Sequence, residues 1–157
     1  PHSLLLLLLL LLLLRPFLAC YSSRSFCCTY TKKVSKHAYV STHLTWADAE
    51  LYCVSQKANL VSIHSLEEQI FVKDLIKNFD HSEGFTWIGL SDTHKEGGWM
   101  WSDGCTVDFV FWDVNEPNNY GGREDCVHNN HHTSLKWNDC PCSETHPSVC
   151  ASRIICP

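Results

Sequence analysis

The chain has 157 residues, ten of them cysteines, with a formal net charge of −5 and a pI near 6.0. That length fits one domain behind a short leader, and the acidic balance argues against nucleic acid, whose partners present a basic face. Ten cysteines in so short a chain point to an oxidising compartment.

Leu4 to Leu14 is an unbroken run of eleven leucines, followed by Arg15-Pro16-Phe17-Leu18-Ala19-Cys20. The run fits the apolar part of a signal peptide and is too short for a hydrocarbon layer of roughly 30 Å. Residues 1–20 are therefore expected to be a truncated, leucine-rich signal peptide. The protein is expected to be secreted, with no stable membrane insertion. Residues 21–36 form an N-terminal segment without periodicity, containing Cys27-Cys28 and a basic patch of Lys32, Lys33 and Lys36. The domain proper is assigned to 37–157.

Tyr39-Val40-Ser41 alternates weakly, as at the start of an edge strand. Thr45 caps a helix with Asp48 three residues on, and Trp46, Ala49 and Cys53 then share a face that points Cys53 inward. Asn59 to Ile63 reads as a turn and a short apolar strand. Ser65 with Glu68 is a second capping box, and the helix behind it carries Val72, Leu75, Ile76 and Phe79 at core spacing. Phe85 to Leu90 reads as a buried strand, Gly97-Gly98 as a turn, and Trp99-Met100-Trp101 as a short alternating strand. Beyond Gly104 the chain reads as loop, with strands only at 125–127 and 148–151. Two helices, short strands and a long loop give an α+β domain, and a long loop in a compact domain is usually functional.

That loop contains the chemistry. Glu116-Pro117-Asn118, Glu124-Asp125 and Trp137-Asn138-Asp139 offer carboxylate and amide oxygens with no thiolate or imidazole cluster among them. Hard oxygen donors of this kind suit Ca²⁺, which takes 6–8 of them in loose geometry, and suit zinc poorly. His128, His131 and His132, with Asn129 and Asn130, form a polar cluster whose spacing suits no single rigid element. No nucleophile–base arrangement is present, so catalysis is not expected.

Together, Trp46-Ala47-Asp48-Ala49-Glu50 with Cys53, Trp87-Ile88-Gly89-Leu90, Trp101-Ser102-Asp103-Gly104, Glu116-Pro117-Asn118, Trp137-Asn138-Asp139 and Cys150 resemble the C-type lectin-like domain over about residues 36–152. Within that family the chain is similar to small secreted fish lectins and to type II antifreeze proteins. The resemblance implies disulfides Cys53–Cys150 and Cys126–Cys142. It places a further N-terminal half-cystine of the family's extended form at Lys36, a departure from the pattern. It makes Cys105 the candidate for an interchain bond, and so for a disulfide-linked homo-oligomer, with an internal Cys105–Cys140 bridge as the alternative. The pairing of Cys27, Cys28, Cys140 and Cys156 stays open.

The resemblance further implies a sugar-binding Ca²⁺ held by Glu116, Asn118, Glu124, Asn138 and Asp139, the last also through its backbone carbonyl, with Pro117 cis. Glu116 with Asn118 would serve one sugar hydroxyl, and Glu124 with Asn138 a neighbouring one. Tyr120 lies where an aromatic ring could pack on the sugar. The Glu-Pro-Asn order, as against Gln-Pro-Asp, implies mannose-type glycans over galactose, on microbial or cell surfaces. A second Ca²⁺ position would use Asp92, Glu96, Asn119, Glu124 and Asp125, with Asn119 replacing the usual carboxylate. The polar histidine cluster falls in a variable turn of the family. The competing expectation is an ice-binding protein of the type II antifreeze kind.

Overall fold

The computed structural model describes residues 36–152. Strand β1 (His37–Leu44) leads into helix α1 (Trp46–Ser55), then β2 (Ala58–Leu60), helix α2 (Leu66–Phe79), β3 (Thr86–Ser91) and β4 (Met100–Trp101). A long connection with a 3₁₀ turn at Tyr120–Gly122 reaches β5 (Cys126–His131), and β6 (Lys136–Cys140) and β7 (His146–Ser152) follow. The strands form one sheet in the order β1-β7-β3-β5-β6, with β2 added to β7 and β4 to β3. Among the described strands the β3–β7 pairing is parallel and the rest antiparallel, and an isolated parallel bridge joins Trp112 to Trp137. This is an α+β domain, as expected from the two helices, short strands and long loop.

Both capping boxes set helix starts. Asp48 N–H donates to Thr45 Oγ1, and Glu68 N–H donates to Ser65 Oγ at 3.2 Å. Each satisfies an amide that the first helical turn would otherwise leave open. Ala49 and Cys53 are fully buried on α1, as are Val72 and Ile76 on α2. Phe79, expected in the core, is instead 66% exposed at the last turn and stacks on Tyr39 of β1 with ring centroids 5.6 Å apart. The helix ends there, and the stack on Tyr39 covers only one side of the ring.

The motif residues around β3 act as fasteners. Trp46 Nε1 donates to Ile88 O, and Trp87 Nε1 donates to Leu44 O. The Glu50 carboxylate accepts from Asn59 Nδ2, from Leu60 N–H and from Ser102 Oγ, joining α1, β2 and the turn after β4. Gly89 must lack a side chain: a Cβ there would lie 2.7 Å from Leu60 O and 2.8 Å from Ser102 Oγ.

The structure revises several expectations in the second half. Strand β6 was expected to be loop. Its Asn138-Asp139 pair disfavours a strand by propensity, but four of its residues pair with β5, among them Cys140 opposite Cys126 and Asp139 opposite Val127. Strand β5 extends to His131, so His128, Asn129 and Asn130 belong to a buried strand and not to a variable turn. Partners offset part of that burial: Asn129 Oδ1 accepts from Gln69 Nε2, Asn130 Nδ2 donates to Gly84 O and Phe85 stacks on His128 at 4.2 Å, while Asn129 Nδ2 and Asn130 Oδ1 have no partner. Between β4 and the site, Cys105, Val107, Phe109 and Phe111 pack on the core with exposed residues between them. The alternation is that of a strand, although no ladder forms along it.

Disulfides Cys53–Cys150 and Cys126–Cys142 are both formed. Cys140 is a buried free thiol, which rules out the Cys105–Cys140 bridge. Cys105 is itself disulfide-bonded. The leader 1–20, Cys27, Cys28 and Cys156 lie outside the described residues. No helix among the described residues is long and apolar enough to cross a membrane.

Candidate functional site

The site is built where the long connection folds back on β6. Trp137, fully buried on β6, anchors it: its N–H donates to Phe111 O, and its carbonyl accepts from Asp113 N–H at 2.9 Å. These bonds fix the start of the segment that carries Glu116 to Asn119. The Glu116–Pro117 peptide bond is cis. Asp139, fully buried next along the strand from Asn138, receives Asn118 N–H on Oδ1 at 3.1 Å and Asn119 N–H on Oδ2 at 2.8 Å. One carboxylate thus ties two consecutive amides of the loop to the sheet. The loop then turns through Asn119, Gly121 and Gly122, all at positive φ, a conformation these residue types adopt at low cost.

The side chains converge as follows. Asn118 Nδ2 donates to Glu116 Oε1 at 2.9 Å. Tyr120 N–H donates to Glu124 Oε2 at 2.6 Å, and Glu124 N–H donates to Asn119 Oδ1. Asn119 Nδ2 reaches Glu96 Oε2, linking the loop to the β3–β4 turn. Asp92, buried at the end of β3, accepts from Gly97 N–H through Oδ2, and its own N–H donates to Asp125 O. Glu116, Asn118, Asn119, Glu124 and Asp139 are therefore one network, with Glu96 joined to it and Asp92 and Asp125 beside it. Tyr120 is 81% exposed at the rim.

Asn138 faces differently. Its Nδ2 donates to Asp139 O at 2.6 Å and lies 3.3 Å from His128 Nε2. The Asp139 carbonyl, expected to face an ion, is thus engaged by the neighbouring amide. Burial above all pushes the His128 imidazole down to about 4, so at neutral pH it is uncharged and Nε2 can accept. His128 is a supporting residue that the sequence reading set aside. The signal available was its position directly opposite Asn138 on β5, which needed the register.

The electrostatics are those of carboxylates held too close. Burial, then Asp139, pushes Glu116 up to about 7. Asp92 is raised by burial and by the charges of Asp125 and Asp139, Glu96 by partial desolvation and the same neighbours with Asp92, and Glu124 by burial and Asp139. Two buried carboxylate oxygens of this group, Glu116 Oε2 and Asp92 Oδ1, have no hydrogen-bond partner. Unpartnered buried carboxylate oxygens among like charges are costly, and a divalent cation relieves both costs. The donor set of carboxylates and amides fits Ca²⁺.

Comparison with known proteins places the chain. The Lectin C-type domain model matches residues 42–152. The chain is 43% identical over 123 residues to the lactose-binding lectin l-2 of Anguilla japonica, covering 76% of this chain and 72% of that protein. It is 39% identical over 110 residues to ladderlectin of Oncorhynchus mykiss, covering 70% of this chain and 58% of that one. Among solved structures it is similar to herring type II antifreeze protein, with a TM-score of 0.72, 31% identity, and 85% of this chain and all of that one covered. With the fold, the fastening residues and both disulfides in place, the chain belongs to the C-type lectin domain family, a non-enzymatic family of carbohydrate-binding proteins.

Proposed function

We propose that the chain is a secreted, Ca²⁺-dependent lectin that binds mannose-type glycans through the loop of Glu116 and Asn118. The observation that carries this reading is the pairing of Asn118 Nδ2 with Glu116 Oε1 beside the unpartnered, buried Glu116 Oε2. The ion would be held by Glu116, Asn118, Glu124, Asn138 and Asp139, with a second position at Asp92, Glu96, Asn119, Glu124 and Asp125. Calcium, when bound, supplies open coordination positions to two neighbouring sugar hydroxyls.

The residues supply the specificity. A carboxylate accepts a hydroxyl proton and an amide NH₂ donates to the same oxygen. Glu116 with Asn118 presents one such acceptor–donor pair, and Glu124 with Asn138 the other. Asn138 must turn its amide from Asp139 O toward the sugar, and His128 is then left as the partner behind it. Tyr120, exposed at the rim, is free to pack on the ring. An open site for one sugar binds in the millimolar range, about 4 kcal/mol, so several sites acting together are needed, and multivalency adds about 10²–10⁴ in avidity. The leucine run and the two disulfides support an extracellular setting.

A second specificity is favoured by one observation: the relative at 43% identity is named for lactose. The test is retention of the refolded chain on mannose-agarose and on lactose-agarose in calcium, with EDTA elution. Retention on mannose alone, released by chelator, supports the proposal. Retention on lactose alone moves the specificity to galactosides and keeps the calcium mechanism. Retention on neither, despite calcium binding, overturns the lectin reading. It would favour the ice-binding function suggested by the antifreeze neighbour, which thermal hysteresis then measures.

A further inference from the structure

A group of metal-ligating side chains lies next to the carboxylate network, with Cys140 directly following Asp139 in β6, but shares no side chain with it. Cys140 ends β6, Glu144 sits in the β6–β7 turn and His146 begins β7, and one ligand atom from each lies within 4.8 Å of the other two. A sulfur, a carboxylate oxygen and an imidazole nitrogen at that spacing suit a tetrahedral ion with bonds of about 2.0–2.3 Å. They do not suit calcium, which takes oxygen ligands alone. We infer that Cys140, Glu144 and His146 form a Zn²⁺ site that is separate from the sugar-binding loop.

The surroundings hold each ligand in place. Cys140 is a free thiol, 4% exposed, and stands opposite Cys126 in the β5–β6 ladder. The Cys126–Cys142 disulfide and the bond from Trp46 N–H to Cys142 O fix the chain two residues further on. Glu144 N–H closes the turn onto Pro141 O. The His146 ring lies edge-on to Trp87 with centroids 4.7 Å apart, and its Nε2 is 2.9 Å from Glu144 Oε2. An ion would replace that single contact with two bonds and add a third to Cys140 Sγ, whose proton passes to solvent. Water would complete the tetrahedron on the exposed Glu144 side. His146 also borders a surface groove with Tyr39, His43 and Phe85.

The test titrates Co²⁺, a spectroscopic stand-in for Zn²⁺, into the full refolded chain with calcium in excess. The expected result is one Co²⁺ per chain with a sulfur-to-cobalt charge-transfer band and tetrahedral visible bands, all displaced by equimolar Zn²⁺. Cys140→Ser loses the charge-transfer band. His146→Gln and Glu144→Gln, nearer the surface and safer for folding, keep it but weaken binding by roughly tenfold or more, since even indirect changes around a metal cost about 10–100-fold. Absence of a sulfur band overturns the proposal. So does a band that persists in Cys140→Ser, or one whose midpoint neither surface substitution moves.

Discussion

Gln69 on helix α2 accepts a hydrogen bond from Trp137 Nε1 at 2.8 Å, and with its own amide donates to Asn129 Oδ1 at 2.9 Å. One side chain, 2% exposed, thus satisfies the indole behind the Glu116–Asn119 loop and a buried amide oxygen on the neighbouring strand. Removing it strands two buried polar groups, each costing about 1–3 kcal/mol. Gln69→Ala should therefore destabilise the domain by several kcal/mol, while Gln69→Glu keeps the acceptor for Trp137 and loses the donor to Asn129. Urea unfolding of the three proteins checks this. A loss below about 1 kcal/mol for Gln69→Ala would mean that water takes over both bonds.

Gly89 makes a sharper steric prediction. Its N–H donates to Val61 O and its carbonyl accepts from Ser102 N–H, so the backbone is held on both sides. The Cβ of Gly89→Ala would meet Leu60 O, a backbone atom that can move only with β2. Overpacking of this kind costs about 1–3 kcal/mol. The expected outcome is a lowered thermal midpoint. Pairing Gly89→Ala with Ser102→Gly should recover only part of it, because Leu60 O remains.

Much of the fold was legible because local chemistry and periodicity agreed at Thr45, Ser65 and the stripe through Val72 and Ile76. The motif residues were legible as a resemblance, and the structure gives them physical jobs: Glu50 as a three-way acceptor, Trp46 and Trp87 as donors to strand carbonyls. What was not legible is instructive. Strand β6 contains Asn138 and Asp139, and β5 contains His128, Asn129 and Asn130. Propensity counts the four Asn and Asp residues against a strand, and tertiary partners such as Gln69 of α2 for Asn129 and Phe85 for His128 help make the burial tolerable. Phe79 had the right spacing but sits at the last helical turn, where the stack on Tyr39 leaves it mostly exposed. Cys140 could not be assigned as the free thiol, because neighbouring half-cystines in a Cys-Pro-Cys run are not distinguished by spacing. The role of His128 depended on register alone.

Acidification should act on the site through Glu116. Its carboxyl is raised to about 7 from an ordinary 4.5, first by burial and then by Asp139. A carboxylate raised on folding lowers stability at pH above its folded value. In EDTA, that cost is relieved as pH falls from about 7 toward 4.5. A cation competes with the same proton, so calcium affinity should fall over this window, by up to about tenfold per pH unit for one displaced proton. Calcium titration calorimetry across the window measures it, and Glu116→Gln, which cannot take up that proton, should show weaker binding with a flatter pH dependence. Affinity that is unchanged from neutral to mildly acid pH in the unmodified chain would remove Glu116 from the ligand set.

The sugar preference should follow the donor–acceptor order at 116 and 118. In this chain the acceptor comes first and the donor second, and the two already face each other at 2.9 Å. Exchanging them, Glu116→Gln with Asn118→Asp, keeps the number of charges and the side-chain sizes nearly constant and swaps where a hydroxyl finds its acceptor. Calcium binding should survive, because the oxygen count is unchanged. Stability should also hold, since the Asp139 carboxylate grips the backbone amides of 118 and 119 and not their side chains. Retention should then move from mannose-agarose toward lactose-agarose. The measurement is the elution volume of the double variant on both columns, beside each single variant. Each single change leaves two acceptors or two donors facing one hydroxyl, and so should bind neither sugar well. A double variant that keeps the parent's preference would show that specificity is set elsewhere on the rim, with Tyr120 the next side chain to remove.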